Sequence, residues 1–117
     1  MDQYIVLMRL DLLTKEAQPT PEQMKVYMQQ YHTWVDHIVA QGKFAGGTGL
    51  SVEGKVLKPH NVITDGPFAE IKESIAGFII LQAKDFDEAV ELARGCPILN
   101  GDGNSVEVRK VVKHDIR

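Results

Sequence analysis

Two stretches limit what this chain can fold into. Tyr4 to Asp11 and Ser74 to Ala83 have the two-residue alternation of strands, yet both faces of each are largely apolar. In the first, Tyr4, Val6, Met8 and Leu10 share one face, and Ile5, Leu7 and Arg9 the other. Such strands belong in the middle of a sheet, with cover above and below. The chain has 117 residues, enough for one domain, 1–117. A domain of that size buries roughly two-thirds of its unfolded surface. The question is whether it can cover both faces of its own sheet.

The remaining segments supply little cover. Thr20 reads as an N-cap, with Pro21 at the first helical position and Gln23 completing a capping box. Met24, Tyr27, Met28, Tyr31, Trp34, Val35 and Ile38 then recur at helical spacing, and Gly42 ends the helix. Phe44 to Val52 reads as a strand weakened by Gly46, Gly47 and Gly49. A tight turn at Glu53-Gly54 leads to a short arm, Lys55 to Lys58, which Pro59 breaks; His60 to Thr64 is again extended. A second helix starts at Asp85, with Glu88 as capping-box partner. It buries Phe86, Ala89, Val90 and Ala93 and stops at Gly95 and Pro97. Ser105 to Lys113 closes as a strand with Val106, Val108 and Val112 on one face.

The order is strand, helix, strand with a hairpin excursion, strand, helix, strand. That is an α+β, ferredoxin-like (split βαβ) protomer: an antiparallel sheet with two helices on one face. Two helices leave the other face bare, and an apolar patch that large is seldom left in water. A second copy packed through a two-fold axis is the simplest cover. The expected assembly is a homodimer forming a dimeric α/β barrel, with a ligand cleft at its rim.

Composition narrows the partners. Net charge is −3 without a basic cluster, which argues against nucleic acid. A single cysteine, Cys96, excludes an internal disulfide and reads as a packing residue. The first residues lack the basic region of a signal peptide, and the apolar run from Tyr4 to Leu10 is too short to span a bilayer. A cytoplasmic protein that does not enter membranes is expected.

Chemistry concentrates in Thr64-Asp65-Gly66-Pro67-Phe68-Ala69-Glu70-Ile71-Lys72-Glu73, a charged, turn-bearing loop that feeds the apolar strand. In one reading Asp65 merely caps a turn and Glu70, Lys72 and Glu73 are solvated. In the other, Asp65 is an acid–base group desolvated beside a cleft, with Glu70 assisting. Phe68, Lys72 and Glu73 then bind ligand. His32 and Asp36, four apart on the first helix, form a second candidate pair, with His32 at the edge of the apolar stripe. Arg9 either clamps an anionic group or pairs with a cross-strand acid such as Glu107. No metal site is expected: His32 and His37 diverge on a helix, and no HExxH or Cys/His cluster exists. Gly49-Leu50-Ser51-Val52-Glu53-Gly54-Lys55 has Walker spacing, but Val56 stands where a Ser or Thr is needed. No cofactor is called for.

The run Val62-Ile63-Thr64-Asp65-Gly66-Pro67-Phe68-Ala69-Glu70-Ile71-Lys72-Glu73 resembles the signature of the DGPF-domain group of YCII-related proteins. Leu7-Met8-Arg9, Tyr31, Trp34, Gly42, Gly77-Phe78, Glu88-Ala89, Cys96-Pro97 and Val106-Glu107-Val108-Arg109 extend the resemblance along the chain. It implies the same fold and dimeric barrel. It also implies, from the wider superfamily, a His-Asp pair near the cleft and at least one enzyme acting on a substituted hydroquinone. At the helix position of that histidine this chain has Tyr31, with His32 beside it. Proximity of DGPF genes to extracytoplasmic-type sigma factors implies a regulatory alternative. Two functions are therefore expected in competition. One is a cofactor-independent small-molecule enzyme using lyase- or isomerase-like acid–base chemistry. The other is a non-catalytic ligand-binding or regulatory dimer.

Overall fold

The computed structural model describes residues 1–11, 18–65 and 74–113. Four strands form one antiparallel sheet: β1 (Asp2–Arg9), β2 (Phe44–Gly49), β5 (Ile75–Ala83) and β6 (Ser105–Lys110), in the order β2-β5-β1-β6. Two helices, α1 (Pro21–Ala40) and α2 (Phe86–Ala93), connect them. Strands and helices therefore follow the α+β, ferredoxin-like order. A separate two-stranded sheet pairs β3 (Lys55–Lys58) with β4 (Val62–Asp65).

The start of α1 follows from local chemistry. The Thr20 hydroxyl accepts from the Gln23 N–H at 3.2 Å, and the Gln23 side-chain oxygen accepts from the Thr20 N–H at 2.9 Å. Two orphan donors of the first turn are thus satisfied reciprocally. At the other end Gly42 takes φ +71°, the left-handed conformation that lets the chain leave the helix. The stripe buries only its C-terminal half: Trp34 and Ile38 are core, Tyr27, Tyr31 and Val35 half-buried, and Met24 and Met28 exposed. The sheet does not extend beneath the first turns.

Helix α2 differs from expectation in two details. Asp85 caps it by accepting from the Glu88 N–H at 2.9 Å, but Glu88 reaches back to the Lys84 N–H, one residue before the cap. Lys43 explains the pull, since its ammonium lies 2.9 Å from the other Glu88 oxygen. Phe86, expected inside, is 45% exposed and lies edge-on against Tyr4 with centroids 5.0 Å apart.

The core lies between α1, α2 and one sheet face. Tyr4, Val6 and Met8 of β1 and Ile79, Leu81 and Ala83 of β5 are buried there. β1 begins two residues earlier than expected and ends at Arg9. β6 ends at Lys110, which leaves Val112 outside the strand and exposed. β2 approaches β5 very closely: a Cβ at Gly47 would sit 2.4 Å from the Phe78 carbonyl oxygen. Of the three glycines that weaken this strand by propensity, Gly47 is the one whose missing side chain lets it pair.

The arm behaves differently from the hairpin expected at Glu53-Gly54. Lys55–Lys58 does not return onto β2 but pairs with Val62–Asp65, through a turn in which His60 and Asn61 have φ +68° and +63°. Its cross-strand pair Leu57 and Ile63 is 75% and 59% exposed.

The opposite sheet face has no covering layer among the described residues. Leu7 lies across from Phe78 and Ile5 across from Ile80, and all four are only half-buried. The molecule measures 43 × 41 × 19 Å. Its short axis is about that of one sheet plus one helix of roughly 10 Å diameter. No helix among the described residues is long and apolar enough to cross a membrane.

Charge ties down the edges. Asp2 accepts from Lys110 at 3.2 Å and from Lys113, and these lysines hold its carboxyl below the usual range. Glu88 is likewise lowered, first by Lys43 and then by the Lys84 N–H. A depressed folded-state pKa stabilises the fold above the unfolded value, and that contribution is lost as pH falls through the folded one. The doubly neutral variant Asp2→Asn/Glu88→Gln should therefore show a flatter loss of stability below pH 4.5, the upper of the two ordinary values, 3.8 and 4.5. Urea unfolding across acidic pH would show it; an unchanged slope would mean neither pair matters.

Candidate functional site

One end of the sheet gathers the features of interest. The Leu10 N–H donates to the Ser74 carbonyl at 3.3 Å, so the chain leaving the motif loop re-enters the sheet beside the end of β1. Ser74 is buried, and its hydroxyl has no hydrogen-bond partner among the described residues. β6 starts at the same end, with Ser105 opposite Arg9. A 3-10 turn, Pro97–Asn100, packs there against α1.

Between this turn and the N-terminal half of α1 lies a cleft of ≈ 580 Å³. That is within the roughly 300–1,000 Å³ range of small-molecule sites. Leu10, Met24, Tyr27 and Ile98 give it apolar walls. Carboxamides supply most of the polarity: Gln18, Gln23, Gln30, Asn100 and Asn104. Asn104 is held by donating to the Ile98 carbonyl at 3.0 Å, and Gln18 by donating to the Asp11 carbonyl at 2.9 Å. Two smaller hollows, of ≈ 480 and ≈ 270 Å³, lie along Trp34, His37 and Gly95, and the larger of them also borders Gln30.

Two phenols and a thiol near the cleft, Tyr27, Tyr31 and Cys96, are held neutral. Burial, with smaller effects from Cys96 and Tyr31, pushes the Tyr27 phenol up to about 12. Burial also raises Tyr31 and the Cys96 thiol. Tyr27 stacks on Tyr31 at 6.3 Å, and Tyr31 meets Trp34 edge-on at 5.7 Å. Cys96 is thus a protonated core residue.

The residues singled out by sequence fall in separate places. Asp65 ends β4, paired in register with Lys55. Phe68, Glu70, Lys72 and Glu73 lie outside the described residues, as does the Asp65 side chain. His32 and Asp36 are both exposed on α1, His32 edge-on to Tyr31 at 6.1 Å. Arg9 is on the uncovered sheet face, its guanidinium 3.0 Å from Glu107. No cluster of three or more potential metal ligands exists among the described residues. The carboxamide cleft was missed in the sequence, where the run Gln29-Gln30 and the scattered Gln18, Gln23, Asn100 and Asn104 are its only trace.

A model of the YCII-related domain matches residues 8–114. The chain belongs to the YCII-related family. An uncharacterised protein of Rhizobium meliloti (strain 1021) is 42% identical over 48 residues, 41% of this chain. That match spans only 39% of the relative's own length. Among solved structures, this YCII-related chain is similar to 5-chloro-2-hydroxyhydroquinone dehydrochlorinase from Burkholderia phenoliruptrix AC1100, in complex with 2,5-dihydroxybenzoquinone. The TM-score is 0.46 at 17% identity, covering 97% of this chain and 95% of that one.

Proposed function

We propose that the protein is a cytoplasmic, cofactor-independent small-molecule enzyme that works as a homodimer, its sheets packed into a dimeric α/β barrel. Lyase- or isomerase-like chemistry suits the carboxylates of the motif loop: Asp65 takes a proton from one substrate atom and returns it to another or to a leaving group, with Glu70 or His32 assisting. Phe68, Lys72 and Glu73 hold the substrate, and Arg9, paired with Glu107, sits at the barrel face beside an anionic substituent. The observation that carries this reading is the Leu10–Ser74 hydrogen bond, which anchors the exit of the motif loop at the end of the sheet where the cleft opens.

Asp65→Asn is expected to lower turnover of a substrate found by screening by about 10²–10⁴-fold, the usual worth of a general acid–base group. Circular dichroism and sedimentation should be unchanged. Full turnover in that variant would remove Asp65 from the chemistry.

A specific observation favours a second reading. Among the described residues lining the cleft, Tyr27 alone is titratable, and it is neutral near pH 7. A wall of carboxamides binds well and catalyses poorly, as a non-catalytic ligand-binding or regulatory dimer would. Ligand binding without turnover, unaffected by Asp65→Asn, would select it.

A further inference from the structure

We propose that two copies of this chain pack sheet to sheet about a two-fold axis running across the strands, so that Glu107 of each copy meets the partner's Arg109. This gives the proposed dimer its geometry and rests on that reading.

The uncovered face is laid out in two neighbouring cross-strand rows. One runs Glu107, Leu7, Phe78 and Thr48 from the β6 edge to the β2 edge, and the next runs Arg109, Ile5, Ile80 and Gly46. Val106 and Val108 pack against the core, which puts Glu107 and Arg109 on the outer face by alternation. Each row therefore starts on a charge, crosses two apolar side chains and ends on a small residue. The two charges are opposite in sign and lie two residues apart, roughly 7 Å along the strand.

Sheets stacked face to face interdigitate their side chains at a spacing of about 10 Å. Two symmetric arrangements bring the apolar middles of the rows together. An axis along the strands turns each row onto the same row of the partner, reversed. Glu107 then lies over the partner's Thr48 and Arg109 over the partner's Gly46, so neither charge meets an opposite one. An axis across the strands, at the level of Val6 and Val108, turns each row onto the other. Leu7 then meets the partner's Ile5, Phe78 the partner's Ile80, and Glu107 the partner's Arg109.

The charges decide between the two. Covering a charge without a counter-charge is costly, and only the second arrangement supplies one. Two-fold symmetry makes the contact twice. Glu107 already accepts from Arg9 of its own chain at 3.0 Å, and a carboxylate has room for a further donor. Arg109 is exposed in the single chain and can supply it. The face is thus self-complementary in charge as well as apolar, and the partner it fits is a second copy.

Two variants make the test. Arg109→Glu sets acid against acid across the axis, and Glu107→Lys sets base against base. Each alone should dimerise at low salt with a Kd about tenfold or more above that of the unmodified chain, by sedimentation equilibrium. Mixed in equal amounts they restore both pairs, so native mass spectrometry should show the mixed dimer well above the statistical half. Salt at about 0.5 M should shrink that preference. Circular dichroism checks the fold of each variant. Should Glu107→Lys fail to fold on losing Arg9, Glu107→Gln replaces it and should still favour the mixed dimer. Random mixing, or pure variants that pair as tightly as the unmodified chain, would overturn the charge pairing and leave the dimer standing. An unmodified chain that stays single would remove both.

Discussion

Replacing Trp34 with alanine should cost about 3–5 kcal/mol, the range for truncating a large buried aromatic. Domains of this kind hold only about 5–15 kcal/mol in total, so the variant should be partly unfolded at room temperature. Trp34 is 7% exposed and sits in the core beside Ile38, Ile79 and Cys96. Its indole N–H donates to the Leu92 carbonyl at 2.8 Å, joining α1 to the last turn of α2. Trp34→Phe separates the two contributions. It keeps a ring and loses the hydrogen bond, about 1 kcal/mol for the bond itself. Urea midpoints would rank the variants alanine, phenylalanine and wild type in rising order. An alanine variant as stable as the wild type would mean that the two helices are held by something other than this side chain.

Phe78→Asp should act on a different level. Phe78 points to the uncovered face, across from Leu7, and touches little of the core between sheet and helices. The protomer should fold. Through a two-fold axis the change is made twice in one interface. Losing two aromatic contacts of roughly 2–3 kcal/mol each amounts to about 4–6 kcal/mol. That corresponds to a Kd raised roughly a thousandfold or more. Sedimentation of the variant should show single chains with wild-type circular dichroism. A variant that stays paired would place the subunit contact elsewhere. Unfolding of the variant would mean that the outer face supports the protomer itself.

The sheet and its helices were legible because their signals are local. Thr20, Pro21 and Gln23 announce a helix start by chemistry within four residues, and the alternation through Tyr4, Val6 and Met8 reports burial directly. What failed depended on distant partners. Nothing near Glu88 says that Lys43 will draw it one residue past its expected bond. Phe86 looks like core by spacing, yet it only lies edge-on against Tyr4 and stays 45% exposed. The arm was legible as extended, but its pairing was not, because Lys55–Lys58 suits either neighbour and the left-handed pair His60-Asn61 carries no glycine to mark the turn. The site was legible as a loop and not as a cavity. Cleft walls come from Leu10, Tyr27 and Ile98, which are far apart in sequence and individually ordinary.

The uncovered apolar face calls for a second chain. Leu7, Ile5, Phe78 and Ile80 are half-buried on the uncovered side of the slab, and Leu57 and Ile63 are exposed on the arm. Sedimentation velocity of the unmodified chain at micromolar concentration is the direct measurement. A single species with the mass of two chains is expected. A monodisperse, stably folded species with the mass of one chain would contradict it.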